Sequence, residues 1–217
     1  MNKITASPEK NTQLLSVRVD ELRHALQQIN PKQVASHAGA HYSDDSDNGM
    51  FEFEFWGAPT LLSYPECTAY DKSTGSKLPV AVQALILYYF YNADGFPLTD
   101  RWIAFSELQD GRFYSQAFQG YSGDKLGKLF ADDLDAFRKA ALEIGSIPHS
   151  MADASFVFQL LPRVPLLALA WQGDDEVPSS YQILFNESVN HYLPTDACAI
   201  AGSMLTGKLI RARDILG

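Results

Sequence analysis

Leu160-Leu161-Pro162-Arg163-Val164-Pro165 runs on through Leu166-Leu167-Ala168-Leu169-Ala170-Trp171 and ends in Gly173-Asp174-Asp175-Glu176-Val177-Pro178. An apolar strand-like run thus discharges into three consecutive carboxylates at a glycine turn. Residues 155–161 and 166–172 read as two strands, joined or bent at Pro162 and Pro165, because an inner ladder has no place for a residue without an N–H. Residues 181–185 continue the sheet.

Upstream, Met50-Phe51-Glu52-Phe53-Glu54-Phe55-Trp56 alternates strictly, which puts the three phenylalanines on one face of a strand and the two glutamates on the other. Gly57-Ala58-Pro59 turns the chain into a second strand near residues 60–64, so a β-hairpin is expected. A short strand is read over residues 101–105. Residues 42–49 are a polar loop, and the aromatic segment 112–118 fits either class.

Helices fill the remaining periodic stretches. Leu14, Leu15, Leu22, Ala25, Leu26 and Ile29 recur at helical spacing over residues 13–28, before Pro31. Pro79 suits the first turn of a buried helix reaching Asn92, with Gly95 marking its end. Asp132, Asp133 and Asp135 open a helix with the inward stripe Phe130, Leu134, Phe137 and Ala141, stopped at Gly145. Thr195 can cap a last helix that buries Ala197, Ile200, Ala201, Met204, Leu205 and Leu209. Strands and helices come in blocks without a steady βαβ alternation. The fold class is therefore α+β, a largely antiparallel sheet with helices packed on it. At 217 residues the chain is read as a single domain over 1–217, with a polar, disordered tail over residues 1–10.

With 46% hydrophobic and 20% charged residues the composition is that of a globular protein, and its 13 Phe, 10 Tyr and 3 Trp predict an aromatic core. A formal charge of −9 and a pI near 4.9 disfavour nucleic acid and anionic lipid. The densest basic cluster, Lys208, Arg211 and Arg213, suits a helix C-terminus rather than a binding surface. No apolar signal core follows Met1, and the most apolar stretch, residues 78–91, is broken by Gln83 and falls short of the ~20 residues a membrane span needs. A cytoplasmic location is expected. Cys67 and Cys198 are too few for a thiolate zinc site or a disulfide scaffold, and read as buried free thiols.

Several familiar signatures fail on inspection. Gly202-Ser203-Met204-Leu205-Thr206-Gly207-Lys208 has the outline of a phosphate-binding loop, but Leu209 stands where a hydroxyl must reach magnesium, and the stretch lies inside the last helix. Gly120-Tyr121-Ser122-Gly123 brings its second glycine one position too early for a nucleophile elbow. His37 and His41, followed by Asp44, Asp45 and Asp47, are weak candidate metal ligands, set against a plainer reading as a solvated segment. Asp174, Asp175 and Glu176 are the stronger candidate: adjacent like charges repel, and a cation, an amine or a raised pKa relieves them. Arg163 could reach one of them across a hairpin, Trp171 and Trp102 could wall a planar ligand, and His191 is the best-placed lone imidazole. The plainer alternative is that the carboxylates solvate a turn.

Leu160-Leu161-Pro162-Arg163-Val164-Pro165, Trp171-x-Gly173-Asp174-Asp175-Glu176-x-Pro178, Ile183-Leu184-Phe185 and Tyr192-Leu193-Pro194 together resemble the domain of unknown function 3786 family. Leu85-Ile86-Leu87-Tyr88-Tyr89, Gly95-Phe96-Pro97-Leu98, Trp102-Ile103-Ala104-Phe105 and Phe113-Tyr114 extend the resemblance over roughly residues 35–212. The chain departs from it at Val177 and Ser179, where the pattern reads Phe and Ala, and at Asn186, where it reads Asp. The resemblance implies a protein of anaerobic bacteria or archaea, sometimes beside corrinoid or iron-sulfur proteins, with an accessory role in cofactor metabolism and no assigned activity. The leading expectation is a non-enzymatic binding or accessory protein whose pocket holds a planar tetrapyrrole or corrinoid, with Arg163 pairing a carboxylate of the ligand. The alternatives are a metal-dependent hydrolase or transferase built on Asp174, Asp175 and Glu176, and an acidic module that docks a basic protein partner.

Overall fold

The computed structural model describes residues 8–45 and 48–216, with side chains from Leu15 onward; of the tail expected over residues 1–10, residues 1–7 lie outside the described residues. The chain is α+β and falls into two compact units, residues 1–96 and 97–217. No described helix is long and apolar enough to cross a membrane.

The first unit holds helices α1 (Pro8–Leu26) and α2 (Pro31–Ala38), the antiparallel meander β1 (His41–Asp45), β2 (Asn48–Phe55), β3 (Ala58–Tyr64) and β4 (Ala69–Asp71), and helix α3 (Val80–Asn92). The alternation read in residues 50–56 is realised: Phe51, Phe53 and Phe55 are buried, and the ring of Phe90 on α3 lies 5.1 and 4.9 Å from those of Phe51 and Phe53. The β2–β3 turn is Trp56-Gly57, both at positive φ, the backbone that a two-residue hairpin requires. The expected loop over 42–49 is corrected in part, because residues 41–45 pair with 48–52 as β1. Gln83, the one polar break in the apolar run, is buried. Its carboxamide accepts from the Ala69 N–H at 2.8 Å and donates to the Ala69 carbonyl at 2.7 Å, completing the edge of β4 from the helix.

The second unit is a five-stranded antiparallel sheet in the order β5-β9-β8-β7-β6, from β5 (Trp102–Ala104), β6 (Ile147–Pro148), β7 (Ala154–Leu161), β8 (Val164–Trp171) and β9 (Ser180–Asn186). Helices α4 (Gly111–Tyr121), α5 (Gly123–Phe130), α6 (Leu134–Glu143) and α7 (Thr195–Leu216) complete it. Phe137 of α6 packs edge-on against Phe156 at 5.7 Å and Tyr181 at 5.3 Å, and Phe105 stacks on Phe118 at 4.2 Å beside Phe185. Burying a side chain of that size contributes on the order of 2–3 kcal/mol. Gly202 of α7 faces the Phe118 ring, where a Cβ would lie 2.5 Å away, so the phosphate-loop outline is a packing surface inside a helix. Asp133 caps α6 as read, accepting the Ala136 N–H at 2.9 Å.

Two further expectations need correction, and one open reading is resolved. Pro165 does lie in the central strand β8, where proline was judged out of place. It is tolerated because pairing with β9 begins only at Leu166, and because the register with β7 shifts between Gln159 and Leu161 beside it. Thr195 begins α7, but its hydroxyl donates to the Gln109 carbonyl at 2.6 Å. The segment left open, residues 112–118, is helix α4.

Asn186 shows why an amide stands where the resembling pattern reads a carboxylate. Its Oδ1 accepts from the Ser188 hydroxyl at 2.8 Å, the Ser188 N–H and the Thr99 N–H, while its Nδ2 donates to the Thr99 carbonyl at 2.7 Å. A carboxylate cannot make that last bond. Asn186→Asp is therefore expected to cost roughly 1–3 kcal/mol at pH 7. Urea titrations of the two proteins at pH 7 measure it.

Candidate functional site

The acidic turn is the β8–β9 connection, and the Asp174 carboxylate is spent on the turn's own backbone. The Asp174 carboxylate accepts the N–H groups of Glu176 and Val177, each at 2.9 Å, and the Asp174 N–H donates to the Val177 carbonyl. Those two amides hold the Asp174 carboxyl below the usual carboxylate range, opposite to the raised pKa that crowded charges would produce. The loop is tied down by uncharged groups as well: Gly173 N–H donates to the Ser179 hydroxyl, which donates to Asp132 at 2.6 Å. Asp174→Asn should lower the melting temperature slightly at pH 7, because asparagine keeps an acceptor for the two amides but not the charge. The wild-type advantage belongs to the pH range above the unfolded pKa and disappears as pH falls through the lower folded one; thermal melts from pH 2 to 7 read it.

The other residues expected at this turn are elsewhere. Arg163 occupies the β7–β8 turn, at the opposite end of β8 from Asp174, a separation of roughly 25 Å at the strand rise. The two strands do form a hairpin, and that hairpin carries Arg163 away from the carboxylates. Trp171 pairs with Ser180 and Trp102 with Asn186, six residues apart along β9, about 20 Å, so they do not flank one ligand. Trp171 is 38% exposed beside a shallow depression with Gln119 and Tyr181, and Trp102 meets the His149 ring edge-on at 6.0 Å. His191 ends the 3-10 helix Glu187–His191.

His37 and His41 do not share a helix face. α2 ends at Ala38, Gly39 caps it in the left-handed region, and His41 starts β1. His37 Nδ1 meets the Ala93 carbonyl at 3.2 Å, Asp44 pairs with Lys32 at 3.2 Å, and Asp47 lies outside the described residues. Among the described residues no three His, Cys, Asp or Glu side chains are grouped to hold a metal. Cys67 and Cys198 are both buried free thiols, and burial pushes both upward, Cys67 to about 12.

A concave site forms elsewhere in the second unit, between α4, the segment around Asn190–Pro194 and the start of α7. The chain leaves the 3-10 turn Phe105–Glu107 and enters α4 through Asp110 at φ +57° and Gly111, where a Cβ would lie 1.9 Å from the Phe105 carbonyl oxygen. Only glycine fits there. The Thr195–Gln109 hydrogen bond fastens this entry to the first turn of α7. Tyr114, Ala117 and Tyr121 then follow at i, i+3 and i+7 on α4 and form an aromatic wall. Phe105, Leu193 and Pro194 add apolar surface, and Asn190, Asp110 and Asp196 supply the polar groups.

The cavity has a volume of about 670 Å³, inside the range of small-molecule sites. No lysine, arginine or histidine is among the side chains that line it. Tyr121 is part-buried and its phenol is pushed up by that burial, so it stays a neutral hydrogen-bond donor at physiological pH. Tyr114 is 65% exposed, an aromatic ring presented to solvent at the mouth. None of Arg163, Trp102, Trp171, His191 or the acidic turn lines this cavity.

Comparison with curated proteins and with solved structures found no match. The model of one family, described as a domain of unknown function, DUF3786, matches residues 30–208, most of the sequence, and the chain belongs to that family.

Proposed function

We propose that the chain is a binding protein for a small organic molecule, seated between α4 and the start of α7. The observation that carries this reading is the cavity itself: about 670 Å³, an aromatic wall, and a few convergent polar groups on rigid elements. Binding is favoured over catalysis because the Thr195 hydroxyl at its rim is already donated to a carbonyl, and no imidazole or lysine lines the wall to serve as its base. The two buried thiols fit a reducing, cytoplasmic setting for the role.

The tetrapyrrole or corrinoid expectation drew its support from Arg163, Trp102 and Trp171 around the acidic turn. Their separation removes that support. The hydrolase alternative needs metal-holding carboxylates, and Asp174 instead serves its own turn. The test is a screen of small aromatic fragments by saturation-transfer NMR on the full chain. One competitive site, from which all bound fragments displace one another, is the expected result; fragments that bind independently of one another, or none that bind, would contradict it.

A further inference from the structure

Resting on that reading, we infer that the ligand is an organic cation, an amine carrying an aromatic or apolar body, whose ammonium group sits by Asp110 and Asp196. The two carboxylates are brought to one rim by a single hydrogen bond. Gln109 and Thr195 are the bonded pair, and Asp110 and Asp196 are the next residue on each side. Both side chains are exposed, and no lysine or arginine shares the cavity lining with them; on its other side Asp110 borders a separate depression with Arg112 and with Arg101, which is already paired with Glu107 and Glu187. The start of α7 is a competing field, since a helix N-terminus carries about half a positive charge and favours anions. It is outweighed by two full negative charges, and Asp196 already accepts the Ala197 N–H at 2.9 Å, which takes up part of that preference.

The wall suits the same class of ligand. The faces of Tyr114 and Tyr121 carry the negative end of the ring quadrupole, which attracts ammonium groups, while Phe105, Leu193 and Pro194 cover an apolar body. An anion would meet the two carboxylates in a lining that holds no lysine or arginine. The chain's net charge of −9 also steers cations toward it and anions away.

The experiment compares three probes of one shape on the full chain: phenethylamine, phenethyl alcohol and 3-phenylpropanoate, titrated by NMR at low salt. The amine is expected to bind about tenfold tighter than the alcohol, with the carboxylate weakest. Asp110→Asn combined with Asp196→Asn should bring the amine to the level of the alcohol. Asparagine tolerates the left-handed backbone at residue 110 and caps helices, so the variant keeps its fold. Equal binding of amine and alcohol, or tightest binding of the carboxylate, overturns the cation inference and leaves the cavity reading standing. Binding of none of the three overturns both.

Discussion

Ala117→Trp is expected to abolish binding in the cavity, weakening any ligand by at least about thirtyfold, roughly 2 kcal/mol. Ala117 lies on the exposed side of α4, between Tyr114 and Tyr121 in the wall. An indole placed there fills the space the ligand needs without entering the packed core. Substitutions on such surfaces usually change stability by less than about 0.5 kcal/mol. Lost binding with an unchanged urea midpoint is therefore the predicted pair of results. Retained affinity in this variant would mean that the ligand sits elsewhere.

Gly123→Ala has the largest expected effect on stability. A Cβ at residue 123 would lie 2.1 Å from the Tyr181 carbonyl oxygen and 2.3 Å from the Gln119 amide nitrogen. The first is backbone of β9 and cannot swing aside. The second is the group that donates to that same carbonyl at 3.0 Å, so the methyl both clashes and breaks a hydrogen bond. A loss of about 3 kcal/mol is expected, read as a lower urea midpoint at constant slope. Gly120→Ala is the internal control. Nothing lies within 4 Å of its added methyl, and the site is in helix α4, so it should gain roughly 0.5–1 kcal/mol.

The elements that were legible in the sequence are those whose signal is local. Strict alternation in residues 50–56, the aspartates ahead of α6 and the α7 stripe of Ala197, Ala201, Leu205 and Leu209 each report a face buried within one element, whereas Ile200 and Met204, read on the same stripe, are only partly buried. The helix α4 was illegible because its aromatics serve two surfaces. Phe118 faces the core, whereas Phe113 and Tyr114 face solvent, so no single period dominates. That ambiguity hid the wall of the cavity. Read as a helix, the segment would have shown Tyr114, Ala117 and Tyr121 on one face.

The acidic turn drew notice for the opposite reason. Three adjacent charges stand out in a sequence, but the backbone conformation decides whether such charges point at a ligand or at their own amides. At Asp174 they point at their own amides. Arg163 was near those carboxylates by hairpin logic, yet the turn it occupies and the turn they occupy are at opposite ends of β8. The carboxylates that do share a rim, Asp110 and Asp196, are 86 positions apart, joined through a hydrogen bond between their neighbours that spacing cannot reveal.

The most direct test of the cavity as the binding site is 19F NMR of the full chain labelled with 3-fluorotyrosine, titrated with the tightest-binding probe. Assignment by Tyr114→Phe and Tyr121→Phe identifies the two wall resonances. Binding in this cavity predicts saturable shifts of both, with one dissociation constant, while the buried Tyr89 stays still. Shifts confined to other tyrosines, or probe binding that leaves Tyr114 and Tyr121 unmoved, would contradict it.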